Sequence, residues 1–277
     1  MNACIIWEAA MKTVKMIMCD LDGTLLTSAN SVSDRTKKAI KMARQAGIYF
    51  GIATGRPPYA VSELIKIWGI EEDIDCIVGF NGAQLIDYTL NESRLNYPLS
   101  SANQLEIMKH YENEGINFML YEQDGIYTQK VDAVSERLSR NNRLPRRELT
   151  DEILSHEHPK LLISCPKEKM ARVEEVMSQI HIENVRGVHS QPDLFEIFDA
   201  RNSKSRGIEQ IARLHGFTLD HVMAFGDEDN DLEMLKECGI GVVMANGSQK
   251  ALAIADEITA SNLDDGVAQR IEALLNQ

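Results

Sequence analysis

Apolar runs and amphipathic segments alternate along the first ninety residues of the chain. The run VKMIMC (14–19) is predominantly apolar, which is typical of a strand that is covered on both faces of a parallel sheet. Segment 33–47 repeats apolar residues at helical spacing, with Ser33 as the expected N-cap and Gly47 as the expected C-terminal stop. The succession continues with a strand at 48–53, a helix from Pro57 and Pro58 to about residue 67, and a strand at 76–80. This βαβαβ order predicts a parallel sheet covered by helices.

The same order returns near the end of the chain. The expected elements are a helix near 204–215 that stops at Gly216, a strand at 222–225, a helix at 230–238, a strand at 240–243 and helices near 248–255 and 265–275. Together the two ends of the chain predict the α/β class, with a Rossmann-like parallel-sheet core and helices on both faces.

The middle of the chain differs because strands follow one another directly. The expected elements are a helix at 102–114 that stops at Gly115, strands at 116–121 and 125–130, a helix near 131–141, a strand at 160–164, a helix at 167–180 and strands at 182–188 and 194–198. Adjacent strands joined by short turns predict an antiparallel α+β insertion. We therefore expect a catalytic core at 11–93 and 200–277 and an inserted cap at 94–199.

Length and composition are compatible with this division. The chain has 277 residues, of which 44% are hydrophobic and 26% charged, as in ordinary two-domain globular proteins. Met11 begins a more natural opening than the residues before it, so 1–10 are interpreted as an N-terminal extension. The five cysteines are scattered and lack metal-ligand spacing, which indicates free thiols in a reducing compartment. No apolar run approaches the roughly 18 residues of a membrane span, and we expect a cytoplasmic protein.

The net charge limits the partners. At −13, the chain repels nucleic acid and anionic membranes, and we expect neither as a partner. A phosphorylated substrate would need a local cationic or metal site to overcome the same repulsion.

Polar side chains follow the predicted parallel strands at the points where these strands end. Asp20, Thr54, Asn81 and Asp227 each occupy such a position. Open α/β sheets bind ligands outside the carboxyl ends of their strands, so we expect these residues to surround one site.

Two carboxylates, Asp20 and Asp22, directly follow the first strand. Gly23 permits an immediate turn, after which one aspartate could be a nucleophile and the other an acid/base at the same centre. A surface turn or a calcium loop is the alternative. The calcium reading fails, because an EF-hand that uses Gly23 would have Met18 at position 1 and Ala29 at position 12.

A second acidic cluster, GDEDND, covers 226–231. It fails as an EF-hand too, with Leu232 at position 6 and Cys238 at position 12. The remaining interpretation is that this loop, which follows a strand, presents carboxylates such as Asp227 to a hard cation. The alternative is an acidic loop that is only solvated. Mg²⁺ suits such a site, since it takes one or two carboxylates together with phosphate oxygens and water.

Two further segments favour phosphate binding. Thr54 and Gly55, in the triplet Thr54-Gly55-Arg56, precede a helix whose N-terminus attracts anions. Lys204 begins a later helix and could neutralise a dianionic phosphate. Taken alone, Thr54-Gly55 is also typical of a common turn, and a single lysine at a helix start is more often solvated. The chain contains neither a P-loop nor a G-x-S-x-G elbow, and the only paired histidines, in HEH (156–158), are expected in a loop.

These motifs together resemble those of a known family. DLDGT, TGR, the isolated Lys204 and GDEDND occur in the order of the four motifs of the haloacid dehalogenase-like (HAD) phosphatases. The segments FNGAQLID, GDEDNDLEML and ITASNLDDGVAQRIEALL resemble the Cof-type subfamily and extend the similarity over well over half of the chain. A large insertion between the second and third motifs is similar to the C2 cap arrangement. The segment MANGSQ (244–249) only approximates the family's usual Asn-Ala stretch.

The resemblance implies a role for each matching residue. Asp20 would be the nucleophile that forms an aspartyl-phosphate, and Asp22 the acid/base that protonates the leaving group and then deprotonates water. The residues implied to bind the phosphoryl oxygens are Leu21 through its backbone N–H, Thr54, Gly55, Lys204 and Asn230. The residues implied to bind Mg²⁺ are Asp20, Asp22 through its carbonyl, Asp227 and Asp231.

The implied activity is hydrolysis of small phosphomonoesters such as sugar phosphates or phosphorylated cofactors, in a monomer or a small homo-oligomer. A phosphomutase with the same core, and a non-catalytic phosphoryl receiver, are the alternatives. Five arginines crowd 137–147 of the expected cap, either as a solvated basic face or as a site for a second anionic group of the substrate; they are Arg137, Arg140, Arg143, Arg146 and Arg147.

Overall fold

The computed structural model describes residues 14–28 and 30–276, so the extension predicted at 1–10 lies outside the described residues. The described strands are β1 (Met16–Cys19), β2 (Tyr49–Ala53), β3 (Cys76–Gly79), β4 (Gln84–Asp87), β5 (Glu92–Leu95), β6 (Asn117–Glu122), β7 (Gly125–Thr128), β8 (Arg146–Glu148), β9 (Leu161–Ser164), β10 (Val185–Gln191), β11 (Leu194–Asp199), β12 (Val222–Gly226), β13 (Ile240–Met244) and β14 (Glu257–Thr259). The described α-helices are α1 (Asp34–Gln45), α2 (Pro58–Trp68), α3 (Ser101–His110), α4 (Ala133–Asn142), α5 (Asp151–Leu154), α6 (Met170–Gln179), α7 (Lys204–Leu214), α8 (Leu232–Glu237), α9 (Gln249–Leu252) and α10 (Gly266–Leu275). None of these helices is long and apolar enough to cross a membrane.

The chain divides into two compact units. The first contains the chain up to Pro58, the segment Ser62–Arg94 and the chain from Ser203 onward. The second contains Leu95–Asn202 together with Tyr59–Val61. The assignment of catalytic core and cap to these parts of the chain stays a prediction.

An eight-stranded sheet forms the centre of the first unit, in the order β14-β13-β12-β1-β2-β3-β4-β5. The pairs from β14 to β3 are parallel, whereas β3 and β4 are antiparallel. Strand β1 lies between β12 and β2 and is buried along its whole length. It is therefore covered on both faces, as its apolar sequence predicted. The predicted α/β class is confirmed.

The second unit contains a six-stranded sheet in the order β10-β11-β9-β6-β7-β8. The pairs from β10 to β7 are antiparallel, and β7 and β8 are parallel. One face packs against helices through a cluster of buried apolar side chains that includes Tyr111, Phe118, Ile163 and Phe195. The insertion is therefore α+β, as predicted.

The boundaries of most predicted elements agree with the structure to within a few residues. Ser33 caps α1 by accepting a hydrogen bond from the Thr36 N–H (3.1 Å), as predicted. The helix predicted at 102–114 was too long: α3 ends at His110, because Tyr111 turns into the core and its hydroxyl donates to the Val173 carbonyl oxygen (2.9 Å). The helix predicted at 230–238 starts with a 3₁₀ turn, and α8 covers only Leu232–Glu237.

Candidate active site

The site begins where β1 ends at the middle of the first sheet. Asp20 continues the strand, and its N–H donates to the Phe225 carbonyl oxygen of β12 (3.0 Å). The chain then turns sharply through Leu21–Leu25, with Gly23 at a φ of +87°. Glycine adopts this backbone conformation without the steric cost that a side chain would add. The turn predicted from Gly23 is confirmed.

The same turn contacts the second acidic cluster closely. A Cβ atom on Gly23 would lie 2.2 Å from Asp227 Oδ2, so only glycine leaves room for this carboxylate. The Thr24 hydroxyl donates to Asp227 Oδ1 (2.7 Å), and the Asn246 amide donates to the Gly23 carbonyl oxygen (2.8 Å). Two loops that are about 200 residues apart in sequence therefore hold the Asp227 carboxylate in one orientation.

Asp227 and Asp231 come from the loop that follows β12. The Asp231 side chain is fully buried, and its Oδ2 accepts the backbone N–H groups of Asp227 and Glu228, each at 3.0 Å. Gly226 permits this fold, since a Cβ atom there would lie 2.6 Å from the Asp231 Cβ. Asp231 therefore organises the loop as well as facing the site.

Lys204 joins the two acidic clusters. Its Nζ lies 2.6 Å from Asp20 Oδ1 and 2.6 Å from Asp231 Oδ1, and the side chain is buried. The residue begins α7, which Ser203 caps by accepting a hydrogen bond from the Arg206 N–H (3.2 Å). The structure thus brings Lys204 to the Asp20 carboxylate although 184 residues separate them in sequence.

Three buried carboxylates form a candidate cation site. Asp20, Asp227 and Asp231 each offer an oxygen, and these oxygens lie within 4.8 Å of one another. The single Lys204 ammonium leaves this group with excess negative charge, which is costly in a buried place. A small dication held by carboxylate oxygens would compensate the excess, so the residues present fit Mg²⁺.

The pKa values of Asp20, Asp227 and Lys204 reflect their burial and the charges around them. Burial raises the pKa of Asp20 to about 8, against the opposing effect of Lys204. Burial also raises the pKa of Asp227 to about 6, which the hydrogen bond from Thr24 opposes. For Lys204, burial lowers the pKa, but Asp20 and Asp231 outweigh it and raise the pKa above its ordinary value. Lys204 is therefore a permanent cation, and the two aspartates favour protonation as long as no further cation is bound.

A second group of predicted residues lies around Asn81, just after β3. Thr54 is buried, its carbonyl oxygen accepts from the Asn81 N–H (3.0 Å), and its hydroxyl oxygen accepts from the Arg56 N–H (3.2 Å). A Cβ atom on Gly55 would lie 3.3 Å from Asn81 Oδ1. The Asn230 side-chain amide donates a hydrogen bond to the same oxygen (3.4 Å). Thr54, Gly55 and Asn230, which were predicted separately from two motifs, are thus neighbours of one asparagine.

Asp22 differs from the other aspartates because its side chain is directed to solvent. The carboxylate remains 60% exposed and accepts two hydrogen bonds from the Arg56 guanidinium, Nε to Oδ2 at 2.8 Å and Nη2 to Oδ1 at 2.5 Å. Such a two-pronged contact fixes both groups in one plane. Sequence reasoning assigned no role to Arg56, although its position beside Thr54 and Gly55 was a signal. Asn81 was expected at this edge of the sheet but without a role, and Asn246 was missed.

The basic segment of the second unit is mostly paired. Arg137 binds Asp193 (2.6 Å), Arg146 binds Glu136 (3.0 Å) and Arg147 lies 3.1 Å from Asp124. Arg140 and Arg143 are exposed. Since three of the five arginines have carboxylate partners, the hypothesis of a second anion site rests on the remaining two and stays a prediction.

Comparison with known proteins agrees with this geometry. The family model of the haloacid dehalogenase-like hydrolases matches residues 17–271. The 5-amino-6-(5-phospho-D-ribitylamino)uracil phosphatase YitU of Bacillus subtilis (strain 168) is 31% identical over 92% of this chain and 95% of that protein. The pyridoxal phosphate phosphatase YbhA of Escherichia coli (strain K12) is 26% identical over 94% of this chain and 98% of that protein.

A solved structure extends the agreement to the fold. The crystal structure of a haloacid dehalogenase-like hydrolase from Bacteroides thetaiotaomicron superposes with a TM-score of 0.87 and 27% identity, over 94% of this chain and 99% of that chain. The resemblance inferred from the four motifs is thereby confirmed. The chain belongs to the haloacid dehalogenase-like hydrolase family.

Proposed function

We propose that the protein is a Mg²⁺-dependent phosphatase that hydrolyses small phosphomonoesters through an aspartyl-phosphate on Asp20. Its family makes it a hydrolase, and the related proteins named above are phosphatases. The observation that carries the proposal is the buried cluster of Asp20, Asp227 and Asp231 around the Lys204 ammonium. A carboxylate nucleophile beside a fixed cation and a candidate Mg²⁺ site is suited to phosphoryl transfer, in which charge stabilisation provides most of the catalysis.

In the first half-reaction, an Asp20 carboxylate oxygen attacks phosphorus and the bond from phosphorus to the ester oxygen breaks. The carboxyl proton of Asp22 passes to the departing alkoxide, which leaves as an alcohol. In the second half-reaction, the Asp22 carboxylate takes a proton from water, and the resulting hydroxide attacks phosphorus. The bond from phosphorus to Asp20 breaks, inorganic phosphate is released, and both carboxyl groups regain their initial protonation.

The remaining predicted residues hold the phosphoryl group. Lys204 would neutralise one of its oxygens, and the residues proposed to donate hydrogen bonds to the others are Leu21 through its N–H, Thr54, Gly55 and Asn230. Mg²⁺ would be held by the Asp20, Asp227 and Asp231 carboxylates and the Asp22 carbonyl, and when bound it would supply the second cation that the cluster lacks.

The proposed substrates are small phosphorylated metabolites. A phosphoribityl-substituted pyrimidine and pyridoxal phosphate, the substrates in the names of the two relatives, share a phosphomonoester on a primary carbon and a nitrogen heterocycle in the same molecule. Phosphate esters of this type, together with hexose phosphates, form the first panel to test.

The experiment measures phosphate release from this panel with Mg²⁺ and with a chelator, for the wild type, Asp20→Asn and Asp34→Asn. Asp34 is an exposed acidic residue at the start of α1 and serves as the matched control. We expect turnover that the chelator and Asp20→Asn each abolish and that Asp34→Asn leaves unchanged. Turnover that survives in Asp20→Asn would exclude the covalent mechanism. Conversion of a hexose phosphate to its isomer without phosphate release would identify a mutase instead.

A further inference from the structure

The second unit contains a cluster of two imidazoles and one carboxylate that the proposed reaction does not use. Glu122 ends β6, and His158 pairs with Leu99 in an isolated antiparallel bridge. Glu122 Oε1 lies 3.2 Å from His158 Nε2 and 3.3 Å from His156 Nδ1. We call Glu122, His156 and His158 the histidine–glutamate cluster. It contains both histidines of the HEH motif, which the sequence pattern leaves without a function, but not Glu157.

A buried glutamine determines which His158 nitrogen carries the hydrogen. The Gln104 side chain is completely buried, and its amide nitrogen donates to the carbonyl oxygens of Leu99 (3.0 Å) and His156 (2.9 Å). Its Oε1 is therefore an acceptor, and it lies 3.0 Å from His158 Nδ1. Consequently Nδ1 carries the hydrogen, and Nε2 of the neutral ring presents a lone pair.

This arrangement leaves two acceptors facing each other. His158 is 1% exposed, and its Nε2 has no hydrogen-bond partner among the described residues although the Glu122 carboxylate is its neighbour. Burial lowers the pKa of His158, which opposes the formation of an imidazolium, while Glu122 favours it. The lone pair of His158 Nε2 and the Glu122 Oε1 atom, 3.2 Å apart, repel each other, and a cation bound by both atoms would remove this repulsion.

We propose that Glu122, His156 and His158 bind a divalent transition-metal ion, for which Zn²⁺ is the best match. Two histidines and one glutamate, with the fourth position left to water, are a known zinc ligand set. Bonds of about 2.1 Å at tetrahedral angles separate neighbouring ligand atoms by about 3.4 Å. The two nitrogen–oxygen distances of 3.2 and 3.3 Å are close to this separation and too long for strong hydrogen bonds.

The residues around the histidine–glutamate cluster are compatible with a bound Zn²⁺ ion. Gln104 Oε1 accepts the Nδ1–H of His158, and an outer contact of this kind orients metal-bound histidines. Among the described residues, only the aspartate cluster has three donor atoms that already lie within 4.8 Å of one another. The metal must therefore draw the His156 ring inward while Nδ1 stays near Glu122, and the 54% exposure of this side chain leaves room for that movement. The imidazole nitrogens favour Zn²⁺ over Mg²⁺, which prefers oxygen ligands.

The test is a Zn²⁺ titration of the full-length protein by calorimetry, in the presence of saturating Mg²⁺. The variants are His156→Ala and Glu122→Gln, and His110→Ala is the control because His110 is an exposed histidine at the end of α3. We expect the wild type and His110→Ala to bind one Zn²⁺ more per chain than either cluster variant. The difference remains countable even if Zn²⁺ also enters the aspartate cluster, which none of these substitutions alters.

A spectroscopic measurement identifies the ligand atoms. In ¹⁵N-labelled wild-type protein, Zn²⁺ should shift the ring-nitrogen resonance of His158 Nε2 and leave its protonated Nδ1 in place, and His156→Ala should abolish the shift. Equal Zn²⁺ stoichiometry and affinity in the wild type, His156→Ala and Glu122→Gln would overturn the proposal. An unmoved His158 Nε2 resonance at saturating Zn²⁺ would overturn it as well. His156 is exposed, so the decisive variant carries little risk of unfolding.

Discussion

Replacing Gly82 with alanine tests whether one backbone contact sets the position of Lys204. Gly82 follows β3 with a φ of +100°, and a Cβ atom there would lie 2.0 Å from the Ser203 carbonyl oxygen. Ser203 is the N-cap of α7, and Lys204 is the next residue. The added methyl group must therefore push the start of α7 away from β3, and Lys204 moves with it.

The size of the effect follows from these distances. Carbon and carbonyl oxygen approach each other to about 3.3 Å, so the Ser203 carbonyl must retreat by roughly 1.3 Å. A displacement of about 1 Å in a catalytic group costs on the order of 10²-fold in rate. The left-handed backbone adds about 1–2 kcal/mol of destabilisation for any residue other than glycine. Lys204 would then be out of place for its two contacts of 2.6 Å with Asp20 and Asp231.

Gly69→Ala is the matched control, because Gly69 has a φ of +68° and no atom within 4 Å of its added Cβ. Steady-state turnover and thermal denaturation are measured for both variants, with turnover assayed at a temperature where both are folded. Gly69→Ala should lower the melting temperature by a few degrees and leave kcat unchanged. Gly82→Ala should lower kcat about 100-fold in addition. Equal kcat values in the two variants would refute the argument that Gly82 positions Lys204.

Three further outcomes are expected. The pKa values of Asp20 and Asp227 are raised by burial to about 8 and about 6, so the metal-free protein loses stability as the pH rises from about 4 through these values. Thermal denaturation at pH 5.5 and 8.5 should show this loss, and Mg²⁺ should reverse it at the higher pH; a metal-free protein that is more stable at pH 8.5 would contradict it. Arg56→Lys cannot reproduce the two-pronged contact with Asp22 and should reduce kcat by roughly 10- to 100-fold, whereas Arg35→Ala, which removes a similar contact with Glu272, should not. Thr24→Val removes the hydrogen bond to Asp227 and should weaken Mg²⁺ activation more than maximal turnover, and equal changes in both quantities would argue against this role.

Local patterns were sufficient for the main elements of the first unit. The buried run of β1, the N-cap of α1 and the turn at Gly23 each depend on residues close together in sequence. The position of polar residues at the ends of parallel strands depends on topology, and the βαβ rhythm already indicated that topology. For these reasons Asp20, Thr54, Asn81 and Asp227 could be expected at one edge of the sheet before any distance was known, whereas the position of Lys204 followed only from the resemblance to the family.

Short elements were less predictable. Strands β5, β8 and β14 have three or four residues each, mostly polar or exposed, and therefore have no hydrophobic period that would distinguish them from loops. The end of α3 was mistaken because Gly115 is a good helix stop, whereas the packing of Tyr111 ends the helix earlier. Tertiary packing outweighed the local signal at this position.

The sequence by itself determined the family, the α/β class and the residue types that gather at the site, because these depend on local periodicity and on motifs that follow strands. Only the tertiary structure decided which atoms meet. The hydrogen bonds from Lys204 to Asp20, from Arg56 to Asp22 and from His158 to Gln104 each join residues that lie 34 to 184 positions apart. Such contacts depend on the register of strands and the start of helices to within about 1 Å, a precision that side-chain packing in the folded core supplies and local sequence patterns do not.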